Sequence, residues 1–373
     1  MNRSAARRLA RTTLAVVAAS ACASGPRLER FGPTAGDRFF VAGYHPYWAG
    51  NAWTAYPWDA LDEVYFFEIE VGGDGTIADP HGWPDAGLLA RAREERVRIV
   101  PTVSLHDAVT FSTLFSAPTS AAHLVDELIV LLQATPDLAG LHLDFEVFEP
   151  VALDVRDGYT AFVARLARRM RETNPVWSLS VFALAFDDDD VFNERALAES
   201  ADFLVVQGYD FHSRTEPRAG PLAALSGWER LNWETVVDRF LGFGIPARKL
   251  VMAVPLYGYQ WPAASDLPGA DTRGIAVEIP LTAGADVVPE LPRALAQAEL
   301  YGLRRDPASG SPYYAFRDSS GWHQGWFEDA ESLRAKYAFV RTHGLGGVAL
   351  FPLAYGDAPL WEDLRQAFSR PRE

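Results

Sequence analysis

The chain has 373 residues, with 34 basic against 49 acidic side chains and a formal charge of −15. That balance excludes a nucleic-acid binder, which needs a basic face for phosphates, and favours a neutral ligand over a polyanion. The length allows one large domain or two ordinary ones, and 49% hydrophobic with 12% aromatic residues supplies a sizeable core.

Arg3, Arg7, Arg8 and Arg11 precede the apolar run Leu14–Ala19, and Ala-Ser-Ala-Cys follows. A charged start, a short apolar run and small residues read as an export signal over 1–21. The run is too short to span a bilayer. Cys22 is the one cysteine, so no intrachain disulfide is available. The arrangement resembles a bacterial lipoprotein signal, with Cys22 lipidated, although cleavage nearby without a lipid stays open. A lipid there would be the only membrane contact, holding the protein on the cell envelope. Residues 22–36, with their Gly and Pro, read as a tether.

Beyond it, strand-like apolar runs are expected at 39–45, 62–70, 97–104, 139–146, 177–185, 202–209, 249–257 and 346–353. Helical spacing of apolar residues appears over Ala86–Arg96, Thr119–Gln133, Gly158–Glu172, Trp233–Phe243 and Ala330–Thr342. Asn174-Pro175 stops one helix and Gly344 follows another. Eight strands alternating with helices predict an α/β fold, a (β/α)8 TIM barrel over 37–373. The gap before the last strand exceeds what one crossover helix needs. Residues 262–325 are therefore expected to form a small inserted α+β lobe. Gly72–Thr76 reads as a turn rather than a calcium loop. The acidic run 187–190 reads as a solvated loop capping the next helix, with calcium the alternative.

The run Ala139-Gly-Leu-His-Leu-Asp-Phe-Glu-Val-Phe-Glu149 carries the chemistry. Side chains alternate across a strand, so His142, Asp144 and Glu146 share one face and Leu141, Leu143 and Phe145 the other. In a barrel the polar set faces the axis, and Glu146 falls at the C-terminal end, where barrel enzymes keep their active sites. Apolar walls and a neighbouring carboxylate keep such an acid protonated at neutral pH, which suits general acid catalysis. A structural ion pair is the plainer alternative. The histidines show no ligand spacing such as H-x-x-x-H, so neither a metal nor another cofactor is expected.

Several stretches together resemble glycoside hydrolase family 18, the chitinase-like barrels. Ala139–Glu146 lies over that family's D-G-x-D-x-D-x-E strand. V-A-G-Y-H-P-Y-W, V-Y-F-F-E-I-E-V-G-G-D-G-T-I, V-V-Q-G-Y-D-F-H and L-V-M-A-V-P-L-Y-G are similar to its first, second, sixth and seventh strands. S-P-Y-Y-A-F-R-D, W-F-E-D-A-E-S and G-L-G-G-V-A-L-F resemble the branch of spore-cortex and cell-wall glucosaminidases. The resemblance implies a retaining, substrate-assisted glycosidase cleaving β-1,4-linked N-acetylglucosamine (GlcNAc) glycans, chitin or peptidoglycan. It implies Glu146 as acid and base, Asp144 on the acetamido N–H, Tyr209 on the acetamido oxygen and Asp210 beside it. Substrate contacts are expected from Tyr44, Phe67, His142, Gln207, Trp261 and Phe351, with Trp48 and Trp326 weaker candidates and His106 and His212 near the same face.

The departures are specific. Ala139 and His142 stand for two motif acids, Gln207 for a Met, and Phe351 for the Trp that floors the cleavage subsite. The third strand reads Ser104-Leu-His-Asp107 in place of S-x-G-G. They motivate a second reading, a catalytically degenerate glycan-binding protein. A surface interaction protein without a sugar site is a third. His142 is expected either to fill an acid's place, hydrogen-bonded to Asp144, or to be its proton partner.

Overall fold

A computed structural model describes residues 39–368, apart from 136, 187–190, 229–230 and 283–286. The leader, Cys22, the tether and the acidic run at 187–190 therefore lie outside the described residues.

Eight parallel strands close into a barrel. They are β1 (Phe40–Pro46), β2 (Glu63–Val71), β4 (Arg98–Leu105), β5 (Gly140–Phe145), β6 (Ser178–Ala183), β7 (Phe203–Val206), β8 (Leu250–Pro255) and β14 (Gly347–Phe351). The order β1-β14-β8-β7-β6-β5-β4-β2 closes through the β1–β2 pairing, and β3 (Ile77–Asp79) folds back on β2 as a hairpin. Each barrel strand falls within two or three residues of its predicted span, because β-branched and aromatic runs buried on both faces leave little choice. The hairpin turn is held by Asp74, whose carboxylate accepts from the Thr76 N–H at 3.0 Å.

The helices are α1 (Ala86–Glu95), α2 (Ala108–Ser116), α3 (Pro118–Ala134), α4 (Leu153–Thr173), α5 (Glu194–Ser200), α6 (Trp233–Gly242), α7 (Ala294–Tyr301), α8 (Ala330–Thr342) and α9 (Ala358–Ala367). Helix α4 stops at Asn174, whose successor is Pro, and α8 runs out just before Gly344, whose φ is +61°. Two barrel glycines are obligatory. A Cβ on Gly140 would sit 1.8 Å from the Ser178 carbonyl oxygen, and one on Gly347 1.8 Å from that of Phe40, both at φ +155°.

Strand β5 shows how parity sets the site. Phe145 points outward against Phe115 of α2 (5.9 Å) and Tyr159 of α4 (5.5 Å). Burying such a ring stabilises the barrel wall by about 2–3 kcal/mol. His142 and Asp144 therefore point inward, toward the axis.

Between β8 and β14 the chain builds a second, antiparallel sheet. It contains β9 (Tyr257–Ala263), β10 (Val277–Pro280), β11 (Arg304–Arg305), β12 (Pro312–Asp318) and β13 (Gly321–Trp326), in the order β10-β9-β13-β12-β11. The sheet begins at Tyr257, earlier than the expected 262. One apolar run supplies both the last residues of β8 and the first of β9, with a break at Leu256 that composition does not mark.

Candidate active site

Strand register brings the acids to the C-terminal mouth of the barrel. Ser104 of β4 pairs with Asp144, Leu105 with Phe145, and the Glu146 N–H donates to the Leu105 carbonyl at 2.9 Å. Asp144 is buried and its Oδ1 has no hydrogen-bond partner. Glu146, two residues on, is half-buried and reaches solvent. Burial raises both carboxyls. Asp144 is lifted well above the usual range by burial, then by Glu146 and Glu68. Glu146 is pushed up to about 7 by burial, against the lowering effect of His106, with Asp210 and Glu68 adding to the rise. With one acid buried and water only partly admitted to the other, the two do not both ionise readily at neutral pH, so the pair retains a proton there.

Tyr209 and Asp210 follow β7. Burial, then Glu146 and Asp144, raise the Tyr209 phenol well above its ordinary value, so it remains a hydrogen-bond donor. Asp210 sits at φ +59°, which an aspartate tolerates better than most residues. Its Oδ1 accepts from the Tyr257 hydroxyl at 2.8 Å, and burial pushes it to about 6.

Phe351, at the end of β14, is partly exposed and lies among four other rings. These are Tyr44 (5.5 Å), Phe67 (5.4 Å), Tyr209 (6.3 Å, 23° between planes) and Tyr257 (6.3 Å). Trp48, 43% exposed, stands edge-on to Phe67 at 5.9 Å. Aromatic faces of this kind suit the C–H faces of a sugar.

Other expected contacts fall elsewhere. Tyr44 is 1% exposed, and its hydroxyl is 2.9 Å from His142 Nε2, so it supports the aromatic floor from beneath. His142 is not paired with Asp144. Its Nδ1 lies 2.9 Å from Ser180 Oγ, its ring stacks on Tyr65 at 4.8 Å, and burial pushes its pKa down to about 3. A neutral imidazole with both nitrogens engaged is neither a proton partner for Asp144 nor a sugar contact. Gln207 is buried, and its Oε1 accepts from the Ala185 N–H at 3.2 Å, bracing the exits of β6 and β7. Trp261 is 0% exposed and packs on Tyr259 at 5.6 Å inside the second sheet. Trp326 is likewise buried there, stacked on Tyr313 at 4.5 Å. For Tyr44, His142, Trp261 and Trp326 alternation along a strand aimed the side chain inward, a parity that strand-end position alone does not give. His212 lies against Trp228 (5.1 Å), with Nδ1 2.9 Å from the Pro221 carbonyl oxygen.

Several site residues escaped the sequence reading. Tyr257 hydrogen-bonds Asp210, Tyr259 packs edge-on to Tyr257 at 5.5 Å, and Glu278 of β10 raises the Asp210 carboxyl further by its charge. Glu68 contacts His106 at 2.8 Å and Glu70 contacts His81 at 2.9 Å. The alternation Phe-Glu-Ile-Glu on β2 is the same signal as Asp-Phe-Glu on β5 and could have marked Glu68 and Glu70. The ligand atoms of Glu68, Glu70 and His81 lie within 4.8 Å of one another; His81 is hydrogen-bonded to Glu70, and Glu68 to His106.

An acid pair with one member buried, an un-ionised phenol and a cluster of aromatic rings thus stand at the C-terminal mouth of an eight-stranded barrel, where barrel enzymes keep their active sites. Residues 42–356 match the family model described as glycosyl hydrolases family 18, and the chain belongs to that family of glycoside hydrolases. Di-N-acetylchitobiase of Rattus norvegicus is 25% identical over 319 residues, 81% of this chain and 78% of its own. Cortical fragment-lytic enzyme of Bacillus anthracis is 22% identical over 317 residues, 83% of this chain and 68% of its own. The spore cortex-lytic enzyme SleL of Bacillus megaterium QM B1551 shares the fold, with a TM-score of 0.70 at 19% identity over 90% of this chain and 76% of that one.

Proposed function

We propose that the protein is a retaining, substrate-assisted glycosidase acting on β-1,4-linked GlcNAc glycans, chitin or peptidoglycan. The observation that carries the reading is the half-exposed Glu146 carboxyl beside the buried Asp144. Glu146 gives its proton to the glycosidic oxygen as the C1–O bond breaks. The substrate's own acetamido oxygen bonds to C1, forming an oxazolinium ion. Asp144 accepts from the acetamido N–H and offsets the developing positive charge. The Tyr209 hydroxyl donates to the acetamido oxygen, and Asp210 helps hold that group. Water then attacks C1 from the face the leaving group vacated, passes a proton to Glu146, and restores the β configuration. The names of the relatives, a chitobiase and a cortical fragment-lytic enzyme, support a GlcNAc-containing substrate.

The test is product formation from GlcNAc oligomers and from peptidoglycan, read by mass spectrometry. Glu146→Gln should abolish turnover and keep oligomer binding. A wild type that binds oligomers yet yields no product would favour the degenerate binding reading, which Phe351 in place of a floor Trp motivates.

Export, with a lipid on Cys22 and residues 22–36 as tether, is proposed from the leader pattern. Among the described residues no single helix is long and apolar enough to cross a membrane. Cys22→Ser should move the protein from the membrane to the soluble fraction; unchanged fractionation would refute the anchor.

A further inference from the structure

The third barrel strand leaves the family pattern at its exit, where His106-Asp107 stands in place of Gly-Gly. The last β4–β5 pair is Leu105–Phe145, and the Glu146 N–H donates to the Leu105 carbonyl at 2.9 Å, so His106 and Glu146 are the first residues out of two adjoining strands. From the other side, Glu68 of β2 meets His106 Nε2 at 2.8 Å. A carboxylate, an imidazole and the acid thus follow one another across β2, β4 and β5.

The pair is sealed on one side only, since the His106 side chain is 41% exposed. The Glu68 side chain is 9% exposed, and a carboxylate so far out of water needs a bound partner. The groups facing His106 are all acidic: Glu68 and Glu70 from β2, Glu146 from β5, and Asp107 beside it. Among the described residues, those facing Glu146 are His106, Glu68, Asp144, Asp210 and the phenols of Tyr44 and Tyr209. His106 is the one basic group among them. Burial works against its charge, yet the Glu68 hydrogen bond and the nearby carboxylates leave its pKa above the ordinary value.

Resting on the reading of Glu146 as the general acid, we propose that His106 is a positioning residue for that acid, held in place by Glu68 and acting on Glu146 through its charge. Without a cation there, Glu146 faces carboxylates and phenols alone and binds its proton too tightly to release it readily. With it, the acid gives up its proton nearer neutrality. Glu68 fixes the ring and keeps it charged, so the device needs both members.

The experiment is a pair of titrations on the purified full chain. The first is the pH profile of kcat/KM on a fluorogenic GlcNAc oligomer. The second is carbon-13 NMR of labelled glutamate carboxyls, with Glu146 assigned from Glu146→Gln. His106→Gln keeps a polar partner for Glu68 and removes the charge. It should move both the basic limb of the profile and the Glu146 midpoint upward by about one pH unit, the order expected of one charge on a ring that is 41% exposed and so partly screened by water. Glu68→Gln should lower the midpoint of the His106 imidazole itself, seen in proton–nitrogen spectra. An unmoved or lowered Glu146 midpoint in His106→Gln, or an unmoved imidazole in Glu68→Gln, overturns the proposal. A wild type that cleaves no GlcNAc glycan overturns the functional reading alone, since the NMR titrations still decide the role of His106.

Discussion

Glu146 holds a proton near neutrality because water is partly excluded and acids surround it. A general acid works only while protonated, and the folded carboxyl releases its proton around pH 7. The kcat/KM of the wild type should therefore fall as pH rises through about 7; a profile flat to pH 9 would contradict this. Tyr209→Phe removes one aimed donor and keeps the ring against Phe351. It should cut kcat about 10–100-fold with KM little changed, measured by initial rates. The placing of the acids and the phenol at the barrel mouth was legible in the sequence because motif spacing and strand parity agree. His142 was misread because spacing put it beside Asp144, whereas the barrel offered it Tyr44 and Ser180 from other strands. Glu68 and Tyr257 went unseen because their roles come from contacts made across separate strands.

At the scale of elements, two local devices hold the scaffold under the site. Gly140 lets β5 pass the Ser178 carbonyl, and any Cβ there would overlap it. Gly140→Ala should cost on the order of 4 kcal/mol or more and lower the thermal midpoint in calorimetry. The Lys336 ammonium of α8 meets Glu328 at 2.8 Å with both side chains sealed from solvent, at 1% and 0% exposure. Lys336→Met strands that carboxylate and should cost about 3–5 kcal/mol, and adding Glu328→Leu should recover much of the loss, as read by denaturant melts. The barrel strands and the long helices were readable because their periodicity runs for many residues. Helix α5 is a single short stretch of seven residues, and the second sheet pairs by turns and register rather than by a marked repeat. Neither has a period long enough to stand out.

The whole molecule carries its charge of −15 around a mouth that is itself rich in carboxylates. A neutral oligomer feels little of that field, so KM on GlcNAc oligomers should change less than about twofold between roughly 0.05 and 0.5 M salt. The proposed reaction turns on the substrate's acetamido group serving as the nucleophile above Asp144. Proton NMR of the first products released from a GlcNAc tetramer tests this most directly. The account predicts that the new reducing end appears as the β anomer and only later relaxes to the equilibrium mixture. A new reducing end that appears first as the α anomer, or a tetramer left intact, would contradict it.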